Sequence, residues 1–516
     1  MRKGSCLRTR PSCSLFSSSV LLSLSVLSLA AALPLASQTA KPAAGRTLIR
    51  AGHLLDVHTG KLLDAQTIVV SGDRIASIAA TSSTPANPGD TVVDLGSLTV
   101  LPGLIDVHTH ITGNPDFDPY KELIETDAKD AINGVVNART TLMAGFTTIR
   151  NVGASGYVDV DLRDAITAGQ VPGPHMLVSG PPLGITGGHC DENLLPIRYH
   201  VTGDGVADGI AAVQQKVRQN IKYGADLIKI CATGGVLSKG DDPQASQYTL
   251  EEMKAIVADA HRLGRKVAAH AHGEQGILWA TEAGVDSIEH GSYINDEAIA
   301  EMKKRGTYLV PTLYLEDWML EKGNLPPFYH QKMIDVSAVA KHNIQHAMES
   351  GVKIAMGTDA AVYPHGLNAH EIDVYVNQLH MAPLAAIQSA TLNAADLLGW
   401  SDRIGSLDAG KWADVIAVDG NPVADVKLLH PRQGSPDMTF VAHGAVVNFG
   451  VAALSDKTPA SISSTRSMRA ARRRSWVTTM RLVPRSRLSS SMSANTCAAF
   501  TPSRLPVGSS ASTTRG

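Results

Sequence analysis

Imidazole, carboxylate and amine groups recur in this chain at the ends of apolar runs. His108 and His110 end Leu104-Ile105-Asp106-Val107-His108-Thr109-His110, and His270 and His272 end Val267-Ala268-Ala269-His270-Ala271-His272. His290 closes Ser287-Ile288-Glu289-His290, and Asp359 follows Ile354-Ala355-Met356-Gly357-Thr358. In an extended segment residues i and i+2 point to the same side, so each His-x-His pair projects its rings together. One such pair recurs by chance in many chains; the ordered set is what points to chemistry. Imidazoles and a carboxylate together suit Zn²⁺ or a similar divalent ion. Lys229 stands inside the apolar run Leu227-Ile228-Lys229-Ile230-Cys231. A buried, unpaired ammonium is costly, which leaves three readings: a lysine paired with a carboxylate, one that snorkels outward, or one held neutral. A neutral amine reacts with CO₂, and the resulting carbamate is an anionic oxygen ligand able to bridge two metal ions.

These residues need elements to bring them together. Eight short apolar segments have the texture of strands: Leu104–Val107, Thr147–Arg150, His175–Ser179, Leu227–Ala232, Lys266–Ala271, Ser287–His290, Tyr308–Pro311 and Lys353–Met356. Helical stretches separate them, so the chain predicts βα units around a parallel sheet, an α/β fold of the (β/α)₈ TIM-barrel type. The polar residues of interest lie at or just past the C-terminal ends of these strands, where such a barrel places its active site. Segments on either side are β-patterned. Thr67-Ile68-Val69-Val70 leads through Gly72-Asp73, a hairpin signal, into Arg74-Ile75-Ala76-Ser77-Ile78. Ala413–Val418 and Val441–Val447 share that texture. The expected organisation is a barrel over 101–398 with a small discontinuous β-sandwich domain from both chain ends, 41–100 and 399–455. His342 and His346, at helical spacing, fall outside the strand-end pattern and read as surface; Tyr248 and Arg198 are weaker candidates for substrate contact, each read mostly as solvated face. Gly234-Gly235 after the fourth strand allows close backbone approach.

The net charge of −2 over 516 residues hides a division. Residues 1–40 carry four basic residues and no acid, and 457–516 carry eleven basic residues and no acid, which leaves 31 basic against 48 acidic residues over 41–456. The first segment reads as an export signal: Arg2, Lys3, Arg8 and Arg10, then an apolar stretch from Leu15 to Ala32, then small residues around Ala30, Ala32, Ala36 and Ala40. A periplasmic or secreted protein, free of the membrane once the signal is cleaved, is expected. The Arg/Ser-rich segment 456–516 reads as a disordered tail without function, because it cannot bury enough apolar surface to offset its ordering entropy. An acidic core gives no reason to expect a nucleic-acid partner; a homo-oligomer is expected. Outside the two end segments only Cys190 and Cys231 remain, and the sequence leaves open whether they pair or stay free thiols.

In family order, PGLIDVHTH, LIKI, AAHAHG, IEHG and MGTDA resemble the amidohydrolase superfamily over residues 47–450. Within it the chain is most similar to the branch of Xaa-Pro dipeptidases, lysine/arginine carboxypeptidase-like enzymes and ochratoxin-hydrolysing amidases. Text around Thr186-Gly187-Gly188-His189 and Gly284-Val285-Asp286-Ser287-Ile288-Glu289-His290-Gly291 carries this finer likeness. The resemblance implies two divalent metal ions, taken as Zn²⁺. His108 and His110 with Asp359 would hold the more buried ion, His270 and His290 the second, and carboxylated Lys229 would bridge both. His270 and His272 compete for the fifth-strand role; His270 is preferred because it sits nearer the strand body, and His272 would then face the substrate. A one-metal variant stays open. Two cations about 3.5–4 Å apart lower the pKa of a shared water toward neutrality. The implied reaction is attack of that hydroxide on an amide carbonyl, with Asp359 shuttling the proton to the leaving nitrogen. His189 and His272 are candidates for contacting the substrate carboxylate or carbonyl oxygen. The expected substrates are dipeptides or N-acyl amino acids, including ochratoxin-like amides. Rival readings are a cyclic-amide hydrolase or a deaminase of the same superfamily, and a non-catalytic relative. Lys229, and the placement of Glu274 four residues after His270, weigh against deamination.

Overall fold

A computed structural model describes residues 45–430, apart from 119, 122 and 123, together with the backbone of 439–442 and 445–447. The signal and tail readings fall on residues outside this range. In chain order the strands are β1 (Thr47–Asp56), β2 (Lys61–Ser71), β3 (Arg74–Ala80), β4 (Thr91–Asp94), β5 (Thr99–Pro102), β6 (Leu104–Thr109), β7 (Phe146–Asn151), β8 (His175–Val178), β9 (Leu227–Cys231), β10 (Lys266–Ala271), β11 (Ser287–His290), β12 (Tyr308–Val310), β13 (Lys353–Ile354), β14 (Val415–Val418), β15 (Thr439–Ala442) and β16 (Ala445–Val447). The α-helices are α1 (Asp127–Met143), α2 (Val158–Thr167), α3 (Ile210–Lys222), α4 (Leu250–Arg262), α5 (Glu274–Ala283), α6 (Asp296–Arg305), α7 (Tyr314–Lys322), α8 (Pro327–Glu349), α9 (His370–Asn377), α10 (Pro383–Ser389) and α11 (Leu392–Leu398).

Strands β6 to β13 form the barrel. All their pairings are parallel, in one arc β6-β7-β8 and another β9-β10-β11-β12-β13. Backbone hydrogen bonds join the arcs on both sides. Leu183 N donates to Lys229 O (2.8 Å) and Cys231 N to Leu183 O (2.8 Å); across the other seam Val107 N donates to Met356 O (3.0 Å) and His110 N to Ala360 O (2.9 Å). The eight expected strands are these eight. One βα unit shows why the outer layer forms. Helix α4 opens with a capping box between Thr249 and Glu252, buries Met253, Ile256, Val257 and Ala260 at helical spacing, and ends on His261 and Arg262.

Side-chain direction on the inner strands follows from two separate cores. Ile228, Ile230, Val267, Ala269 and Ala271 pack with Val213, Val217, Met253 and Ile256 of the helices. Leu227 and Ala268 instead pack with Ile105, Val107, Val310 and Ala355 across the barrel interior. Alternation then sends Lys229, Cys231, His270 and His272 inward.

The flanking β segments meet in one sheet of order β16-β15-β14-β5-β1-β2-β3, with β4 paired to the start of β1. β2 and β3 turn over Gly72-Asp73, with Ser71 opposite Arg74 and Gly72 at a positive φ of 65°. The sheet curls back on itself: Ile75 N donates to Lys411 O and Ala413 N to Asp73 O, both at 2.9 Å. Ile49, Ile68, Val70, Val100, Val415 and Ala417 fill the curl. Leu55, Leu101, Ile416 and Val418 face the other way and belong to the core around the barrel. Among the described residues no helix is long and apolar enough to cross a membrane.

Candidate active site

At the C-terminal mouth of the barrel two groups of ligand-type atoms face one cavity of about 570 Å³. One is His108, His110 and Asp359, the other His270, His272 and His290; within each, the atoms lie within 4.8 Å of one another. His108 Nε2 and His110 Nε2 are 3.5 and 3.3 Å from the same oxygen, Asp359 Oδ1. The His270 ring is 4.8 Å from His272 and 4.7 Å from His290, and His290 is 5.1 Å from His108, so the two groups adjoin. His189, from the loop after β8, stacks on His270 at 4.2 Å. His108, His110, His189, Lys229, His270, His272, His290 and Asp359 all lie at this mouth, whereas Tyr248 and Arg198 do not line it.

The backbone bends to place them. Among the described residues, four of the eight non-glycine residues at positive φ line the cavity: His290 (71°), Thr312 (56°), Asp359 (60°) and Ala361 (121°). Ile288 packs outward, so strict alternation would also turn His290 outward; the left-handed turn at His290 brings its ring into the mouth instead. Strain of this kind persists where surrounding structure over-determines it and collects at functional sites.

Each ring is anchored through one nitrogen by an oxygen partner outside the two ligand groups. His108 Nδ1 lies 2.8 Å from Glu289 Oε2, His110 Nδ1 3.3 Å from Gly153 O and His270 Nε2 3.1 Å from Gly234 O. His272 Nδ1 lies 2.8 Å from Ser292 Oγ and His290 Nδ1 2.7 Å from Thr312 Oγ1. Glu289 is itself held by Arg150 Nη2 at 2.8 Å, and Arg150 Nε donates to Val107 O. Burial alone would raise the Glu289 pKa, but Arg150 and His108 outweigh it and lower it to about 2. Glu289 is thus a carboxylate that accepts from His108 Nδ1–H.

Burial, with crowding by neighbouring imidazoles, drives the pKa values of His270 and His290 well below the ordinary value and that of His272 to about 3. These rings are neutral and keep a lone pair for the cavity. Burial would raise the Asp359 carboxyl, yet His108 and His110 hold it well below the usual carboxylate range. Lys229 is 3% exposed and, among the described residues, has no carboxylate within ion-pair distance. It neither snorkels outward nor sits in a salt bridge, and burial lowers its pKa to about 8.

Arg150, Glu289, Ser292 and Thr312 were not singled out from the sequence. The signal that marked Lys229, a charge inside an apolar strand, applies equally to Arg150 and Glu289; Ser292 and Thr312 carry no comparable signal. Tyr248 corrects an expectation: it is 1% exposed and donates its hydroxyl to Ala207 O (3.2 Å), so it belongs to the core. Cys190 and Cys231 are joined in a disulfide, with Cα atoms 6.2 Å apart, which ties the His189 loop to β9.

Fold and site together define a (β/α)₈-barrel protein whose titratable groups converge on the face such enzymes use. The comparisons sharpen this: the amidohydrolase family profile matches residues 99–453, and the chain belongs to that family. It is 34% identical to an ochratoxinase of Aspergillus niger over 406 residues, 74% of this chain and 83% of that one. A crystal structure of a Xaa-Pro dipeptidase with bound methionine in the active site superposes with a TM-score of 0.73 at 38% identity, covering 78% of this chain and all of that one. A prolidase complexed with N-methylphosphonate-L-proline gives 0.71 at 29% identity, covering 78% and 99%. The protein is a hydrolase acting on carbon–nitrogen bonds.

Proposed function

We propose that the protein is a metal-dependent hydrolase of the amide bond in dipeptides or N-acyl amino acids, releasing the C-terminal amino acid. The observation that carries this reading is the set of anchored imidazoles that, with Asp359 and a buried Lys229, converge on one cavity. An oxygen partner on one nitrogen of each ring fixes ring orientation and raises ligand basicity, as metal sites require. His108, His110 and Asp359 would hold one divalent ion and His270 and His290 a second, and Lys229, which lines the same cavity, would as its CO₂ adduct supply oxygen ligands to both. The register places Lys229 opposite Ala268, so His270 lies one pleat nearer the lysine than His272, which supports His270 as the ligand. Such ions supply Lewis acidity, polarising a carbonyl oxygen and acidifying water.

The chain supplies the rest. Asp359 is ionised and has Oδ1 among the ligand atoms, placed to take a proton there and return it to the leaving nitrogen. Glu289 and Arg150 orient His108. His272 and His189 border the cavity where the substrate would lie. The relatives named ochratoxinase and Xaa-Pro dipeptidase support an amide with a free C-terminal carboxylate as substrate. The disulfide fits an oxidising compartment, which supports export.

The test is a panel of dipeptides, N-acyl amino acids and ochratoxin-like amides, assayed for released amino acid before and after addition of Zn²⁺ or Mn²⁺. Metal-dependent release is expected. A purified protein with no bound divalent metal, inactive throughout the panel after metal addition, would overturn the reading.

A further inference from the structure

His189 ends a chain of polar contacts that runs away from the reaction centre. Its Nδ1 lies 2.7 Å from Ser238 Oγ, and Ser238 Oγ lies 2.7 and 2.8 Å from the two oxygens of Asp241. Asp241 also accepts from Gly235 N (3.0 Å) and from Lys332 Nζ (2.8 Å), which reaches in from α8. Lys332 Nζ donates in addition to Gly235 O and Ser238 O, each at 2.8 Å. The loop after β9 is thereby clamped from both sides. It can pass so close to His189 only because residue 235 is glycine: a Cβ there would lie 2.2 Å from the ring.

This pattern determines where the His189 proton sits. A serine hydroxyl has one proton to give, and an ionised carboxylate only accepts. Asp241 is paired with Lys332 and is a carboxylate, so the Ser238 proton points to it. Ser238 Oγ must then accept from His189, which requires the proton on Nδ1. With one proton on the ring, Nε2 carries the lone pair. Among the described residues Nε2 has no hydrogen-bond partner, and the ring borders the cavity.

We infer that Lys332, Asp241 and Ser238 are positioning residues that fix the proton of His189 on Nδ1 and present a bare Nε2 to the substrate. His189 then accepts a hydrogen bond from a substrate N–H, of an amide or an amino group; it does not donate to the substrate carboxylate or carbonyl oxygen. Which atom His189 meets depends on the hydrolase reading, whereas its tautomer does not.

Two-bond ¹H–¹⁵N correlation spectra of the ¹⁵N-histidine-labelled, Zn²⁺-loaded protein read the tautomer, with His189→Gln assigning the resonance. The expected wild-type signature is Nδ1–H with an unprotonated Nε2. Ser238→Ala and Asp241→Asn should shift it toward Nε2–H, and Lys332→Met should do so where Lys332→Arg does not. Asp241→Asn should lower kcat by about 10- to 100-fold, by analogy with loss of the hydrogen-bond partner of a metal-ligating histidine. Lys332→Arg, with a thermal melt, guards against a variant that merely misfolds. An Nε2–H signature in the wild type, or a tautomer unchanged in folded Ser238→Ala and Asp241→Asn, would overturn the inference. Protein with the Nδ1–H signature but no amidase activity would support the relay and sink only the hydrolase reading.

Discussion

Lys229 sits in β9 between two isoleucines that pack outward, so its side chain has only the barrel interior to enter. Desolvation penalises its charged form and lowers its pKa to about 8, so near neutrality about a tenth of the amine is uncharged, the form that adds CO₂. Lys229→Ala should lose most activity, and a short carboxylic acid such as propionate, entering the vacated space, should restore part of it. Turnover equal to wild type in the variant would refute the bridging role. Asp359→Asn keeps the shape and one oxygen but removes the base. It should retain some metal, measured by atomic absorption, while kcat falls by at least about 10²-fold, the lower range for general-base catalysis. Much of this chemistry was legible because it rests on residue type and spacing: a histidine two residues from another, a lysine among isoleucines. Glu289 and Arg150 were equally legible by the same signal and were passed over. Ser238, Asp241 and Lys332 were not legible, since their meaning lies in contacts between a loop and a helix about 90 residues apart in sequence, which only the fold creates.

At the scale of elements the strands were readable and the wall between β12 and β13 was not. Two helices, α7 and α8, fill that interval, and Leu315, Met319, Met333 and Val336 from them line the apolar side of the cavity. Glu316 is embedded there, 4% exposed, and among the described residues no hydrogen bond reaches its Oε2. Burial raises its pKa from 4.5 to about 8, with Lys341 opposing and Glu371 adding to the shift. The folded protein therefore holds a proton that the unfolded chain releases. The resulting stability is present in full below about pH 4.5 and is lost as pH rises through about 8. Glu316→Gln removes this titration. The variant should lie close to wild type near pH 5 and exceed it at pH 8.5 by several kcal/mol, on the order of 5 from a rise of 4.5 to about 8 at about 1.36 kcal/mol per unit. Thermal melts across that range decide the point: equal pH slopes in the two proteins would show that Glu316 is not a buried neutral acid.

At the scale of the whole molecule the chain ends have unequal standing. The sequence divides an acidic middle from two basic ends, and the structure shows how far the folded part depends on its late strands. β14 pairs antiparallel with β5, Val415 opposite Pro102 and Val418 opposite Thr99, and Gly103 N donates to Asp414 O at 2.9 Å just before the first barrel strand. Val415 and Ala417 fill the curled sheet while Ile416 and Val418 enter the core around the barrel, so this strand is buried on both faces. The unbroken apolar run Val415–Val418 is consistent with burial on both faces, and the sheet lying against the barrel supplies the second face. A chain ending at residue 412 should leave β5 an unpaired edge and lose three large apolar residues worth about 1.5–3 kcal/mol each. That loss is comparable with the whole stability of a typical domain, about 5–15 kcal/mol, and the open edge invites aggregation. A chain ending at 455 keeps every described strand and removes only the Arg/Ser-rich segment. The 1–455 protein should therefore be soluble, melt cooperatively and keep full activity per metal-loaded site, while the 1–412 protein should be insoluble or melt without a cooperative transition. Soluble, active 1–412 protein would show that the barrel folds without its late strands, and inactive 1–455 protein would give the basic tail a role its composition does not suggest.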